Sequence, residues 1–128
     1  ISSYHTIGTV KKWKGIKLKG VRVFDYGLTV QNEKFEIEAT GCVLPRSLAI
    51  AFALAIATQA KAIEIQMVGF DGYEANDHRQ EEMNEVLAAY AQNPDHLSLK
   101  SLTPTNYSIQ QGSIFEPVIE WRRHNDFK

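Results

Sequence analysis

The sequence predicts an α/β domain, a Rossmann-like three-layer sandwich with a mostly parallel sheet and an antiparallel or edge hairpin. Three observations lead there. Helix, strand, helix and strand patterns follow one another from residue 44 to 102 with short joints, as in βαβ units on a parallel sheet. The first helix pattern is apolar nearly all round, which suits a helix covered on most sides. The strand patterns ahead of it have one wet face, which suits an antiparallel or edge position.

Residues 1–19 read poorly. Lys11, Lys12, Lys14, Lys17, Lys19 and Arg22 form a basic stretch around Trp13, read as a solvated strand face rather than a phosphate strip. At Gly20 the apolar parity shifts, which suggests a bulge or break. Val21–Val30 and Lys34–Ala39 read as a hairpin or two adjacent strands, with Phe35, Ile37 and Ala39 on one face. Leu44 to about Gln59 reads as a helix with Pro45 in its first turn and a stripe of Leu48, Ala51, Phe52, Ala55 and Ile56. Ile63–Val68 reads as a short strand ended by Gly69. A second helix is expected from Asp77 to Ala91. Asp77 and Gln80 form a capping-box pattern there, and Met83, Val86, Leu87 and Tyr90 form its apolar face. Leu97–Leu102 reads as a further strand, and Tyr107–Ile109 and Ser113–Phe115 as short extended pieces.

The 128 residues, 44% of them hydrophobic, make one domain able to bury roughly two-thirds of its unfolded surface without a staple. With 14 Lys+Arg against 15 Asp+Glu, the whole chain has no electrostatic grip on nucleic acid or anionic membrane. Cys42 alone excludes an intrachain disulfide and fits a reducing, cytoplasmic setting. The apolar run Leu48–Ala57 is about half of the roughly twenty residues that a membrane-spanning helix needs. The start at Ile1 lacks a signal-peptide pattern and reads as a domain cut from a longer protein.

Two places could carry chemistry. In Thr40-Gly41-Cys42-Val43-Leu44-Pro45-Arg46-Ser47, a glycine turn is expected between a strand and a helix N-terminus, where free N–H groups attract anions. Thr40, Gly41, Cys42, Arg46 and Ser47 are its candidate ligand-binding residues; a capped helix start is the plainer reading. The second is Gly69-Phe70-Asp71-Gly72-Tyr73-Glu74, past the carboxyl end of a parallel strand, where open α/β sheets bind ligands. There Gly69, Asp71, Gly72 and Tyr73 are candidates, with Asp71 suited to a ribose hydroxyl or a base. Asp71 and His78 are weak candidates for a catalytic base, and no metal site is expected, since neither a calcium-loop nor a zinc spacing is present. Thr103-Pro104-Thr105-Asn106-Tyr107 reads as a proline turn that could close over a ligand.

The same residues carry a resemblance. Ala39-Thr40-Gly41, the Ala-rich helix, Lys61-Ala62-Ile63 and Gly69-Phe70-Asp71-Gly72-Tyr73 resemble a Rossmann-type module of bacterial sialyltransferases and motility-accessory proteins. Gly69–Glu74, Arg79–Asn84 and Ser101–Tyr107 more closely resemble the C-terminal extension of aldolase-like proteins of the 4-hydroxy-2-oxovalerate aldolase type, found in lipopolysaccharide and surface-polysaccharide biosynthesis. The resemblance covers residues 20–117. It implies a nucleotide- or nucleotide-sugar-binding accessory domain, with Thr40, Gly41 and Tyr73 near a nucleotide phosphate. The parent protein would be an aldolase-type lyase whose barrel, ahead of this part, could hold a divalent metal; no cofactor is implied here. The alternatives are a glycosyl- or phospho-transferase domain and a non-catalytic docking or dimerisation domain. The expected partners are a nucleotide or sugar nucleotide and the rest of its own chain, with homo-oligomerisation left open.

Overall fold

Backbone pairing at Gly41 organises the first half of the fold. The structure, a computed structural model, describes residue 20 and residues 26–115. Strands β1 (Gly27–Val30), β2 (Glu36–Ile37) and β3 (Gly41–Leu44) form one sheet in the order β1–β3–β2. β1 runs parallel to β3 in the register Gly27↔Gly41 to Val30↔Leu44, and β2 runs antiparallel to β3. The hairpin is therefore β2–β3, closed by Glu38 N–H donating to Gly41 O at 2.8 Å. It does not join the Val21–Val30 and Lys34–Ala39 segments, which share no ladder among the described residues. The basic stretch from Lys11 to Arg22 and the 116–128 tail lie outside the described residues. A Cβ on Gly41 would sit 2.9 Å from the Gly27 carbonyl oxygen, so the absence of a side chain admits the neighbouring strand.

Drawing residues 41–44 into that sheet moves the first helix. α1 spans Ala49–Gln59 rather than beginning at Leu44, and Pro45 lies in the preceding turn instead of the first helical one. Leu48 is the N-cap and supplies no side-chain cap. The buried face is Ala51, Leu54, Ala55 and Thr58, at helical spacing, while Ile56, expected in the stripe, is exposed. The helix ends in a Schellman pair, Ala62 N–H to Ala57 O and Lys61 N–H to Thr58 O, with Lys61 at φ 61° where glycine is usual.

The second sheet is wholly parallel, in the order β4 (Glu64–Met67), β5 (Ser98–Ser101), β6 (Gln110–Gln111). Within β4, Met67 is buried and Ile65 half-buried. Ile63 is 95% exposed and Val68 65% exposed, so the strand is shorter than its apolar run suggested. The Tyr107–Ile109 piece precedes β6, and Ser113–Phe115 contains a turn. α2 (His78–Gln92) lies between β4 and β5 and buries Met83, Val86, Leu87 and Tyr90, the face that the periodicity predicts. The fold class is α/β, with two three-stranded sheets among the described residues.

One core joins these parts. Phe35, Leu44, Leu54, Ala55, Met83, Val86, Leu87, Tyr90 and Tyr107 belong to a single buried cluster. Tyr90, 1% exposed, sits in it with a polar hydroxyl that must be satisfied. Leu97 N–H donates to Tyr90 Oη at 2.8 Å, and Tyr90 Oη lies 2.8 Å from Thr58 Oγ1. Thr58 donates its one proton to the Leu54 carbonyl at 2.7 Å, so Tyr90 must donate to Thr58. The relay ties the start of β5, α2 and α1 together with every proton assigned. Tyr90→Phe keeps the ring, removes the acceptor of the part-buried Leu97 N–H and removes the proton that the buried Thr58 hydroxyl accepts. Urea unfolding is expected to show a loss of about 1–3 kcal/mol with an unchanged slope.

Candidate functional site

The Thr40–Ser47 candidates disperse in the structure. Thr40 and Gly41 were expected between a strand and a helix start, but Gly41 opens β3, and the whole strand separates it from α1. Thr40 is exposed and its carbonyl accepts from Gly27 N–H at 2.9 Å. Cys42 is buried in β3, and burial raises its thiol pKa, which suppresses the thiolate. Arg46 Nε donates to Glu85 at 2.8 Å, and Nη1 lies 3.6 Å from Glu82, so α2 holds the guanidinium and raises its pKa. Arg46 lines a hollow of about 520 Å³ with Glu85, whereas Ser47 lines one of about 330 Å³ with Leu28, Leu48 and Phe52. An apolar hollow with no cation is a poor anion seat.

The second candidate region is better built. β4 and β5 run parallel from Glu64↔Ser98 to Met67↔Ser101, so the loops that follow them leave the sheet on the same border. Backbone and side chain then knit the loops together. Leu102 N–H donates to Met67 O at 2.8 Å, Gly69 N–H to Thr103 Oγ1 at 3.0 Å, and Asn106 N–H to Asp71 O at 2.7 Å. Gly69 and Gly72 adopt φ +72° and +95°, which glycine reaches at no steric cost. At Gly72 a Cβ would also stand 2.9 Å from Asn106 Cβ and 3.1 Å from Gln80 Oε1. Gln80, expected in a capping box with Asp77, instead turns its Oε1 back to accept Tyr73 N–H at 2.8 Å. Phe70 packs on Tyr107 with ring centroids 5.6 Å apart, and burial raises the Tyr107 pKa. The loop lines a hollow of about 320 Å³ floored by Met83 and Tyr107. It shares no lining residue with the hollows at Arg46 and Ser47.

The charges around this loop have distinct fates. Asp77 caps α2 by accepting Arg79 N–H at 2.9 Å and also grips the Arg79 side chain, with Nη2 at 2.6 Å. That side-chain bond first, and the backbone bond second, lower the Asp77 pKa to about 2. The Arg79 guanidinium lies 4.3 Å from the Tyr73 ring centroid and stays charged against Asp77. His78 points outward, its side chain 80% exposed, with its ring 3.8 Å from Asp77. Asp71 is exposed, and its carboxylate has no partner among the described residues. No three His, Cys, Asp or Glu side chains among the described residues come together as a metal set, and no described helix is long and apolar enough to cross a membrane.

The structure thus brings Gly69, Asp71, Gly72 and Tyr73 together, sets beside them Thr103 and Asn106 of the proline turn, and adds Gln80, expected only as a capping residue. The hydroxyls and amide of the Thr103–Tyr107 turn were a visible signal, but their contact requires β4 and β5 to be neighbours. Compared with known protein families, curated proteins and solved structures, the chain matches none.

Two outcomes follow from this geometry. Gly69→Ala adds a Cβ that meets nothing and costs about 1–2 kcal/mol for its left-handed backbone. Gly72→Ala adds the collision with Asn106 and is expected to cost more in the same urea titration. The depressed Asp77 pKa stabilises the fold above the ordinary value of 3.8, and this contribution is lost as pH falls through about 2. Melting temperature should therefore drop more steeply across that window in the native chain than in Asp77→Asn.

Proposed function

We propose that this domain is a nucleotide- or nucleotide-sugar-binding accessory module whose binding edge is the Gly69–Glu74 loop with the Thr103–Tyr107 turn. The observation that carries the reading is the unpartnered Asp71 carboxylate, held on a loop fixed at both ends to the neighbouring strand's loop. A preorganised carboxylate can accept two hydroxyls of a ribose or sugar, and Tyr73 offers a ring for stacking. The β3–α1–β4–α2–β5 order and the parallel β4–β5–β6 sheet support a Rossmann-like layering, in which this border is the usual ligand side. The resemblance to the extension of aldolase-like surface-polysaccharide proteins supplies the accessory role and a longer parent chain.

The charges refine the ligand's orientation. Asp71 and Glu74 are both acidic, and Asp77 already holds Arg79. The loop thus suits the uncharged, hydroxyl-bearing portion of a nucleotide, with the phosphates directed to solvent. Thr40, Gly41, Cys42, Arg46 and Ser47 have no part in this reading, because strand pairing, burial and the α2 carboxylates account for the first four and Ser47 lines a separate, apolar hollow.

Isothermal titration with cytidine and uridine, their nucleotides and their sugar conjugates tests it. The expected result is saturable heat, nucleoside and nucleotide affinities within about threefold of each other, and at least a tenfold loss in Asp71→Asn, about 1.4 kcal/mol or more. No heat with any of these compounds from folded protein, or binding indifferent to Asp71→Asn, contradicts the proposal.

A further inference from the structure

A further hollow, of about 590 Å³, lies between α2 and the β5–β6 side of the second sheet. Adjacent residues separate it from the loop site: Asn106 lines this hollow and Tyr107 the other. Its floor is apolar, from Leu87, Leu97, Leu99 and Ile109. Around the floor stand Asn84, Ser98, Ser108 and Gln110, whose side chains have no hydrogen-bond partner among the described residues. Among the described residues, none that lines it is Asp, Glu, Lys or Arg, although 23% of the chain is charged.

His96 completes the wall. Its Nδ1 lies 2.7 Å from the Asn93 carbonyl oxygen, which can only accept, so Nδ1 carries the proton. In the neutral ring Nε2 is then left as an acceptor. The ring stands edge-on to Tyr90 with centroids 6.2 Å apart, which fixes its plane beside the core.

We propose that this hollow is a binding site for a neutral, ring-bearing small molecule with a hydrogen-bonding edge. The volume falls in the range of small-molecule sites, and an apolar floor with a few polar groups at its margin is their usual composition. Charge complementarity selects the neutral occupant. A carboxylate or ammonium entering the hollow would leave water for a lining whose described residues include no carboxylate, ammonium or guanidinium, whereas an amide or heterocycle edge exchanges water for the free amides and hydroxyls. The ring covers Leu97, Leu99 and Ile109, and its donor faces His96 Nε2. The proposal is independent of the Asp71 loop.

Benzamide, benzoate and benzylamine share a ring and differ in charge, so they make a direct test by methyl and imidazole NMR on the full chain. Benzamide is expected to shift the Leu87, Leu97, Leu99 and Ile109 methyls and the His96 ring saturably, with benzoate and benzylamine at least tenfold weaker. Ala88→Phe fills the hollow from an exposed helix position and should abolish the benzamide shifts; if it does not fold, the charge series decides alone. No saturable shift with benzamide, equal binding of all three compounds, or shifts at the Leu28 and Leu48 methyls of the other apolar hollow would overturn the proposal. So would undiminished binding in folded Ala88→Phe.

Discussion

The hydroxyl of Tyr90 is the constraint on which the rest of the structure depends. A buried phenol is stable only when its oxygen is bonded, and here its two bonds, to Thr58 and from the Leu97 N–H, join three parts of the chain. Thr58 belongs to α1, Tyr90 to α2, and Leu97 stands immediately before β5. Satisfying one oxygen therefore fixes the spacing of two helices and the position at which a strand begins. Phe35 packs edge-on against the same ring at 5.1 Å, which brings the β2 side into the arrangement. The polar chain ends at the Leu54 carbonyl, within the most buried face of α1.

That constraint reaches the candidate site through strand register. With Leu97 pinned, Ser98 pairs with Glu64 and Ser101 with Met67, so β4 and β5 end level. Strands that end level release their loops side by side, and Thr103 and Asn106 then meet Gly69 and Asp71. The loop is held by backbone bonds and by Gln80 from α2, which leaves the Asp71 carboxylate free to act outward. On the other side of the Asn106–Tyr107 segment, the same arrangement leaves an uncharged hollow against α2. The two hollows are products of one packing decision, yet their margins differ in chemistry, an exposed carboxylate at one and neutral amides at the other.

What the sequence made legible was local. α2 could be read nearly residue by residue because its apolar positions recur at three and four, and Asp77 marks its start. The glycines flanking Asp71 marked a tight turn, and both adopt positive φ. The misreadings concern contacts between distant residues. Nothing near Gly41 announces that Gly27 will pair with it, so the local pattern suits a ligand turn as well as a strand, and α1 starts five residues later than its apolar run suggests. Arg46 carried no mark of its partners on α2, and Gln80 matched a capping pattern while its amide served the Gly72 loop. Ile63 looked like strand interior by composition, but pairing begins at Glu64. Pattern reports which face of an element is apolar; it does not report which element arrives to cover it.

Amide hydrogen exchange at Leu97 measures the central constraint most directly. Leu97 lies outside a strand, where an amide would ordinarily exchange fast, and among the described residues the Tyr90 hydroxyl is the acceptor that protects it. Its exchange should be as slow as that of the buried α1 and α2 amides, with the Asn106 amide also protected. A Leu97 amide exchanging at the rate of an unfolded peptide, while both helices stay protected, would contradict the account.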